Sequence, residues 1–410
     1  VIQTIRGTVD ILPEEVPRWR LVEETTRAVF ACYGYREIRT PIFERTELFA
    51  RSVGEETDIV SKEMYTFTDR SGESLSLRPE NTASVVRAFI QHKMWTQANP
   101  VKLFYLGPQF RYERPQKGRF RQFHQIGAEV IGESDDPAID AELIEMLEEY
   151  LDRLGIQGRN LYINSVGCKV CRPTFVTVLR EALAPDVSQM CENCQRRYET
   201  NPLRVLDCKV ESDQPIIERL PGMVDHLCQE CAAHFQQFRS HLEARGIRYE
   251  IAKRLVRGLD YYMRTAFEIT SGQLGAQNAI VGGGRYDGLS EMLGGPPAKG
   301  IGFASGIERL ILALPEETLA ADTAGPDVFI AHLGAEARLF AFELARRLRR
   351  RGIKAVYEFE EKKLKKQMAQ ADRLRVRFTL LIGEDELKAN RFTVRDMKTG
   401  DQEQLDEESM

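Results

Sequence analysis

No stretch of this sequence approaches the ~18 consecutive apolar residues of a membrane span. Its opening residues, Val1-Ile2-Gln3-Thr4-Ile5-Arg6-Gly7, lack the apolar core of a secretory signal. A cytoplasmic protein with no membrane partner is therefore expected. There is no G-x-x-x-x-G-K-[ST] phosphate loop, and Gly282-Gly283-Gly284 runs into Arg285-Tyr286-Asp287-Gly288 without the third glycine of a dinucleotide fingerprint. The usual nucleotide-binding folds are thus unsupported. Excess positive charge is missing as well. Against 57 Lys and Arg stand 62 Asp and Glu, a formal net of −5, which argues against coating nucleic acid by bulk charge but leaves room for a local basic site. Cysteine is scarce outside one segment: of 8 in all, Cys32 stands alone and the rest fall between 168 and 231.

What is present is a chain of 410 residues, 42% hydrophobic and 29% charged. At roughly 150 residues per domain that implies two or three globular domains. Trp19, Val22, Thr26, Val29, Phe30 and Tyr33 recur at helical spacing between residues 13 and 33, with Gly34 to end the helix. Residues 101–113 and 121–132 read as the arms of a long hairpin whose loop, Arg114 to Phe120, is basic. A helix is expected at 137–154, and strands at 160–165, 248–256, 265–270 and 278–284. A strand running into a helix is expected over 301–314. The mostly helical, cysteine-bearing stretch between 160 and 248 reads as an insertion in a sheet domain. Residues 315–326 have the composition of a linker. Beyond it, strands at 327–332, 353–357 and 377–382 alternate with helices at 335–351 and 361–374, the pattern of a small α/β domain. The last ten residues hold five acids and no base and are expected to fray.

Side chains alternate along a strand, so Gln109, Arg111 and Glu113 share one face of the hairpin, as do Arg121, Phe123, Gln125, Gly127 and Glu129. Such a face makes a poor core. It suits a polar ligand, with arginine for phosphate, a ring for a base and a carboxylate for a cation or N–H donor. A solvated face with cross-strand ion pairs is the competing reading. Arg257-Gly258-Leu259-Asp260-Tyr261-Tyr262 reads either as a packed corner or as a pocket wall. Arg309 follows small residues that would let a ligand approach the backbone.

Taken together, these segments resemble the histidyl-tRNA synthetase family of class II aminoacyl-tRNA synthetases along essentially the whole chain. The resemblance rests on Leu77-Arg78-Pro79-Glu80, Phe110 to Gln116, Arg121 to Gln125, Arg257 to Tyr262, Gly283 to Asp287, and Gly302-Phe303-Ala304 with Gly306 and Glu308-Arg309-Leu310. It implies an α+β fold: a class II catalytic domain with a mainly antiparallel sheet (1–165 and 249–315), a helical insertion (166–248) and a C-terminal α/β anticodon-binding domain (326–410). It also implies a homodimer with residues 34–58 at the interface. The implied partners are L-histidine, ATP with Mg²⁺, and tRNA(His).

By position, Arg111 and Arg257 would hold the ATP α-phosphate and the substrate carboxylate, as the catalytic pair. Phe123 and Arg309 would sandwich adenine. Glu80, Thr82 and Gln125 would hold the α-ammonium group of histidine. Glu129 and Tyr262 would meet the two imidazole nitrogens, and Tyr286 would close the pocket. The family also includes a catalytically inactive paralogue that regulates histidine biosynthesis. That paralogue generally lacks the anticodon domain and parts of the active-site set, whereas this chain keeps Arg111, Arg257, Arg309, Glu129 and its C-terminal domain. Two positions depart from the family pattern. Asn81 stands where glycine is usual, which matters if φ there is positive, and Arg375 stands at a helix end where glycine is usual.

Residues 338–366 carry eleven Lys/Arg against four Glu. With the resemblance, this stretch reads as an RNA contact, with Lys362 and Lys365 at one helix start, rather than as a solvated helix face. Gln116 and Arg121, with Arg114, Lys117 and Arg119, resemble the loop that meets the tRNA acceptor end. The cysteines allow two zinc pairings. Cys168-x2-Cys171-x19-Cys191-x2-Cys194 has zinc-ribbon spacing. An insertion, however, must leave and rejoin its host at neighbouring points, which favours Cys168, Cys171, Cys228 and Cys231 as a Zn²⁺ staple at its neck. Reduced thiols in a small helical domain remain the alternative.

Overall fold

The apolar spacing near the start of the chain folds as α1 (Val16–Cys32), which buries Val22, Thr26, Val29 and Phe30. The structure, a computed structural model, describes residues 1–54, 57–116, 118–256, 258–274, 278–316 and 325–406. Arg257, Lys117 and most of the expected linker lie outside the described residues. The chain divides into two units, Val1–Pro315 and Glu316–Met410.

In the first unit, Gly34 at φ +79° turns the chain out of α1 into β1 (Arg36–Glu37). A small sheet follows, built from β2 (Phe43–Arg45), β3 (Thr66–Thr68) and β4 (Ser74–Leu77) in the order β2-β4-β3, with α2 (Thr46–Val53) between its first two strands in sequence. Then come α3 (Thr82–Gln91), the hairpin β5 (Val101–Phe110) and β6 (Gln122–Gly132), α4 (Pro137–Arg153) and β7 (Arg159–Ser165). The cysteine-bearing stretch contains α5 (Cys171–Leu183), α6 (Glu192–Thr200), α7 (Gln214–Ile217) and α8 (Gln229–Ala244). The sheet resumes with β8 (Glu250–Ile251), β9 (Met263–Ser271), β10 (Ala279–Arg285), the short α9 (Leu289–Met292), β11 (Lys299–Gly306) and α10 (Ile307–Ala313).

The main sheet has eight strands in the order β1-β5-β6-β11-β10-β9-β7-β8. Only the outermost pairs, β1 with β5 and β7 with β8, are parallel; the rest is antiparallel. One face packs on α1, α4 and α10. There the Phe30 ring meets Phe104, Tyr150 and Phe303 edge-on at 5.6, 5.5 and 5.9 Å, and burying one such ring stabilises the fold by about 2–3 kcal/mol. The strand expected over 248–256 is only two residues long. The Asn164 amide donates to the carbonyls of Lys253 and Leu255 at 3.3 and 2.9 Å, so those carbonyls are drawn out of the ladder.

On the opposite face Val85, Val86 and Phe89 of α3 cluster with Leu103 and Tyr105, and the rest of that face is described with the site. Arg285 ties the two sides together. Its guanidinium lies 2.6 Å from the Asp140 carboxylate in α4 and 3.3 Å from Asp287, with 1% of its surface exposed. Losing one partner of such a buried pair typically costs about 3–5 kcal/mol. The cysteine-bearing segment has its own core, including Phe175, Leu179, Leu183, Val205 and Ile217. It rests on the sheet domain through α8, where His234 Nε2 lies 3.1 Å from the Asp135 carbonyl.

Asn81 corrects one expectation. Its φ is −120° at the N-cap of α3, so the position does not demand glycine. Its Oδ1 instead accepts from Thr40 Oγ1 at 2.6 Å and from Arg78 at 3.3 Å.

The second unit is a five-stranded sheet with helices. Its elements are β12 (Val328–His332), α11 (Ala335–Arg350), β13 (Ala355–Tyr357), α12 (Leu364–Arg373), β14 (Phe378–Ile382), α13 (Glu384–Ala389), β15 (Phe392–Asp396) and β16 (Gln402–Leu405), in the strand order β13-β12-β14-β15-β16. The first three strands in that order are parallel and the last two pairings antiparallel. The acidic end does not fray throughout, because Gln402–Leu405 pairs with β15. Acidic composition does not prevent an exposed edge strand from forming its backbone ladder.

Arg375, after α12, sits at φ +51°, where its N–H closes the helix end on the Asp372 carbonyl at 2.9 Å. A Cβ is strained at that φ. Arg375→Gly is expected to stabilise the second unit by about 1 kcal/mol, read as a higher urea midpoint; an unchanged or lower midpoint rules this out.

Candidate active site

The open face of the main sheet is paved with small residues. Reading across it in register, Tyr105 of β5 stands opposite Gly127 of β6, which pairs with Ala304 of β11, then Gly282 of β10, then Glu268 of β9. The next row is Leu103, Glu129, Gly302, Gly284 and Ala266. Larger side chains would collide with the functional ones. A Cβ on Gly302 would fall on the Glu129 carboxylate, one on Gly300 on the Tyr286 ring, and one on Gly127 on the Tyr105 phenol. A Cβ on Gly284 would come within 3.0 Å of Tyr262. The glycines leave a floor on which a flat ligand can lie against the backbone.

Glu129 is the deepest polar group on this floor, with 0% of its surface exposed. Thr82 Oγ1 and the Tyr286 hydroxyl each donate to its carboxylate at 2.7 Å. Burial pushes its pKa up, and those two hydrogen bonds only partly offset it, leaving a value of about 8. Glu80, also buried, accepts the backbone N–H groups of Thr82 and Ala83 at 2.7 and 3.0 Å. These bonds cap α3 and fix the Glu80 carboxylate at its start. Burial raises the Glu80 pKa as well, opposed by the same N–H groups. Tyr261 reaches Glu80 at 3.5 Å. Its ring packs against Tyr262 at 4.8 Å and Tyr286 at 5.9 Å. Glu80, Thr82, Glu129, Tyr262 and Tyr286 therefore form one pocket wall. Tyr261, to which the sequence reading gave no role, is part of it.

Gln125, Gln109 and Phe123 continue along the same face of the hairpin. Gln109 is fully buried, yet neither its Oε1 nor its Nε2 has a partner among the described residues, and Gln125 Oε1 lacks one too. Unpaired buried amides beside an open floor point to a ligand that completes them. From Glu129 to Phe123 is six residues of strand, about 20 Å, long enough for an amino acid and a nucleotide end to end.

At the far end, the Arg111 guanidinium lies 5.3 Å from the centre of the Phe123 ring and donates to the Pro79 carbonyl at 2.9 Å. Arg309 donates to the carbonyls of Ala279 at 2.7 Å and Gly118 at 3.4 Å. Hydrogen bonds lie in the plane of a guanidinium, so stacking uses the perpendicular direction. Glu308 holds α10 to the hairpin, accepting the His124 N–H at 2.9 Å and facing His124 Nδ1 at 3.0 Å. Glu308 is a positioning group that the sequence motif contained without showing its purpose.

Other expected residues fall elsewhere. Arg121 stacks over Tyr112 at 4.0 Å, and its N–H donates to the Gly7 carbonyl at 2.7 Å. Gln116 closes the hairpin tip by pairing with Arg119. Lys362 and Lys365 belong to the second unit. Lys362 pairs with Glu358 at 2.9 Å, whereas Lys365 is exposed on the first turn of α12. Near them the sequence reading missed an exposed aromatic strip. Phe342, 54% exposed, and Phe359, 73% exposed, flank Tyr357, whose ring Arg349 approaches at 5.7 Å.

The thiols of Cys168, Cys171, Cys228 and Cys231 gather at the neck of the helical segment, with sulfur separations of 3.7 Å (Cys168–Cys171) and 3.8 Å (Cys168–Cys228 and Cys171–Cys231). Burial raises the Cys168 pKa, but backbone N–H groups outweigh it and bring the thiol to about 7. Cys191 and Cys194 do not join this group.

The family model for histidyl-tRNA synthetase matches residues 7–310, and that for the anticodon binding domain matches residues 327–410. A histidine–tRNA ligase of Solibacter usitatus is 53% identical over 406 residues, covering 99% of this chain and 97% of the relative. The crystal structure of apo Staphylococcus aureus histidyl-tRNA synthetase superposes with a TM-score of 0.82 at 41% identity, covering 99% of this chain and 97% of that one. A Bacillus halodurans structure described as an ATP phosphoribosyltransferase regulatory subunit/histidyl-tRNA synthetase shares the fold, with a TM-score of 0.67 at 22% identity, covering 93% and 98% of the two chains. A sheet floor cleared by glycines, a sunken glutamate among tyrosines and full-length identity above one half lead to one assignment: this chain belongs to the histidyl-tRNA synthetase family.

Proposed function

We propose that the chain is a histidine–tRNA ligase that activates L-histidine with ATP and transfers it to tRNA(His). The observation that carries this reading is Glu129. Neutral imidazole offers one donor and one acceptor, and Glu129 is a buried acceptor fixed by Thr82 and Tyr286. The Tyr262 phenol meets the second ring nitrogen. Glu80, Thr82 and Gln125 hold the α-ammonium group. Arg111 binds the α-phosphate and substrate carboxylate, and Arg257 shares that role on the strength of the resemblance. Phe123 and Arg309 take the adenine between ring and guanidinium.

The histidine carboxylate attacks the α-phosphate and expels pyrophosphate. The terminal ribose hydroxyl of tRNA then attacks the adenylate carbonyl, forming the histidyl ester as the acyl–phosphate bond breaks and AMP leaves, with the hydroxyl proton passing to its phosphate or to solvent. Catalysis comes from alignment on a preorganised floor and from arginine charge at the phosphate. Mg²⁺ accompanying ATP would supply further neutralisation of phosphate charge. Glu268, level with Gly282 and Ala304 on the floor, is a carboxylate suited to it. Zn²⁺ at Cys168, Cys171, Cys228 and Cys231 would lock the neck, since tetrahedral Zn–S bonds of about 2.3 Å place sulfurs about 3.8 Å apart. The regulatory-paralogue reading is weaker, because this chain keeps both the pocket residues and the C-terminal unit. Charging assays with each amino acid in turn are expected to show histidine alone attached to tRNA; charging with another amino acid, or none, overturns the reading.

Removing Glu129 leaves a buried imidazole donor unpaired. Glu129→Ala is expected to lower kcat/KM for histidine-dependent pyrophosphate exchange by about 100-fold, equivalent to ~2.7 kcal/mol. Binding should also follow pH. The empty pocket holds Glu129 protonated below about 8, and accepting the imidazole N–H favours the ionised form. Histidine affinity should therefore rise with pH from 7 to about 8 and then level off. Calorimetric titration checks this; a profile identical in wild type and Glu129→Gln rejects Glu129 as the titrating group.

The lysines around the start of α12 occupy the positive end of a helix dipole, which favours an incoming anion rather than cations alone. With the aromatic strip beside them, they suit RNA phosphates and unstacked bases. The expected result is steep weakening of tRNA binding with salt, and a log–log slope about one unit shallower in Lys365→Ala. Filter binding across a salt series measures both, and flat salt dependence contradicts the assignment.

We also propose a homodimer in the cytoplasm. No described helix is long and apolar enough to cross a membrane. On and beside the three-stranded sheet, Ile42, Phe43 and Phe67 are 43, 53 and 44% exposed, an apolar face suited to a second copy. Phe43→Glu should shift sedimentation from dimer toward monomer; a wild-type chain that sediments as a monomer defeats the proposal.

A further inference from the structure

Within the helical segment, a second cluster stands apart from the neck. Cys191 precedes α6, Cys194 lies in its first turn, and Cys208 and Asp213 come from the irregular chain before α7. One ligand atom from each of the four lies within 4.8 Å of every other. Cys191 Sγ is 3.9 Å from Cys208 Sγ, and Cys208 Sγ is 3.4 Å from Asp213 Oδ2. Around a tetrahedral zinc ion, with Zn–S about 2.3 Å and Zn–O about 2.0 Å, those edges would be about 3.8 and 3.5 Å. The spacing is that of a coordination shell.

From these four residues we infer a second divalent-metal site, of zinc type, with three thiolates and one carboxylate as ligands. Asp213 is the telling member. The residue is fully buried in the segment. Its partners are neutral: the Cys191 N–H at 3.1 and 3.2 Å, the Cys208 thiol at 3.4 Å and the Ser212 hydroxyl at 3.3 Å. No Lys or Arg pairs with it among the described residues. A buried carboxylate without a countercharge is costly, and a dication supplies one. One sulfur of the cluster, Cys208, receives a backbone N–H as Cys168 does at the neck. Val170 N–H points at Cys168 Sγ at 3.3 Å, and Val210 N–H points at Cys208 Sγ at 3.4 Å, two residues on in each case. Such bonds favour the thiolate that binds metal.

The metal would brace a part of the fold built from short turns. Residues 187–226 contain one α-helix longer than one turn, α6, among short 3-10 turns. They also carry Arg197 and Arg204, which reach Asp58 at 3.3 and 3.5 Å, and Asn201, which reaches Asp260 at 3.3 Å. Asp260 immediately precedes the pocket tyrosines. Bracing this stretch fixes how the segment abuts the loops beside the histidine pocket.

The test is the metal content of the full chain, purified with reductant and without chelator. Two zinc equivalents per chain are expected. Cys208→Ser should lose one, while Cys168→Ser/Cys228→Ser should keep one, so the two sites fail independently. Wild type with zinc at the neck alone, unchanged in Cys208→Ser, overturns the inference. Because replacing a buried thiol can unfold the segment, a gain-of-ligand variant provides the second arm. After chelation and Co²⁺ titration, Asp213→Cys should retain the metal with stronger thiolate-to-cobalt absorption. Asp213→Ala should weaken Co²⁺ binding at this site by at least about tenfold. A titration unaffected by either substitution defeats the proposal.

Discussion

One steric constraint recurs at four places on this floor: a neighbouring residue has no Cβ because one would collide with the side chain beside it. Gly302 flanks Glu129, Gly300 flanks Tyr286, Gly127 flanks Tyr105 and Gly284 flanks Tyr262. Antiparallel register makes this possible, because neighbours in a row come from distant parts of the sequence and face the same way. Glu129 can be sunk to the floor only because β11 passes it as glycine. Its raised pKa, its two donors and the flatness of the site all follow from that clearance.

The residues around the floor divide by face. In Gly283-Gly284-Arg285-Tyr286-Asp287, Tyr286 turns to Glu129, whereas Arg285 turns away to Asp140 in α4. One short run therefore both builds the pocket and fastens the sheet to its helical layer. Leu77-Arg78-Pro79-Glu80 behaves similarly. Arg78 is buried and donates to the carbonyls of Pro108, Thr40 and Pro41, while Glu80 caps α3 and meets Tyr261 in the candidate pocket. Motifs that read as purely chemical are half structural, and substitutions in them will mix loss of fold with loss of binding.

Much of this was legible in advance. The helices have apolar stripes, and the hairpin announces itself by alternation. The faces carrying Phe123, Gln125 and Glu129 follow from period two alone. The cysteine neck followed from a topological argument rather than from spacing, and Cys168, Cys171, Cys228 and Cys231 do lie together. What escaped was set by long-range contact. Nothing local marks Asp213 as a neighbour of Cys191, because their proximity depends on how an irregular chain folds back. Asn81 looked like a misplaced glycine because φ cannot be read from residue type. The two-residue strands β1 and β8 are too short to carry a pattern.

Those two short strands have a further meaning. They are the outer edges of the catalytic sheet, each only two residues long and each parallel to its neighbour. A strand arriving from another molecule would find almost no ladder to extend. The edges of this sheet thereby offer little to growth by β-addition, a common route to aggregation.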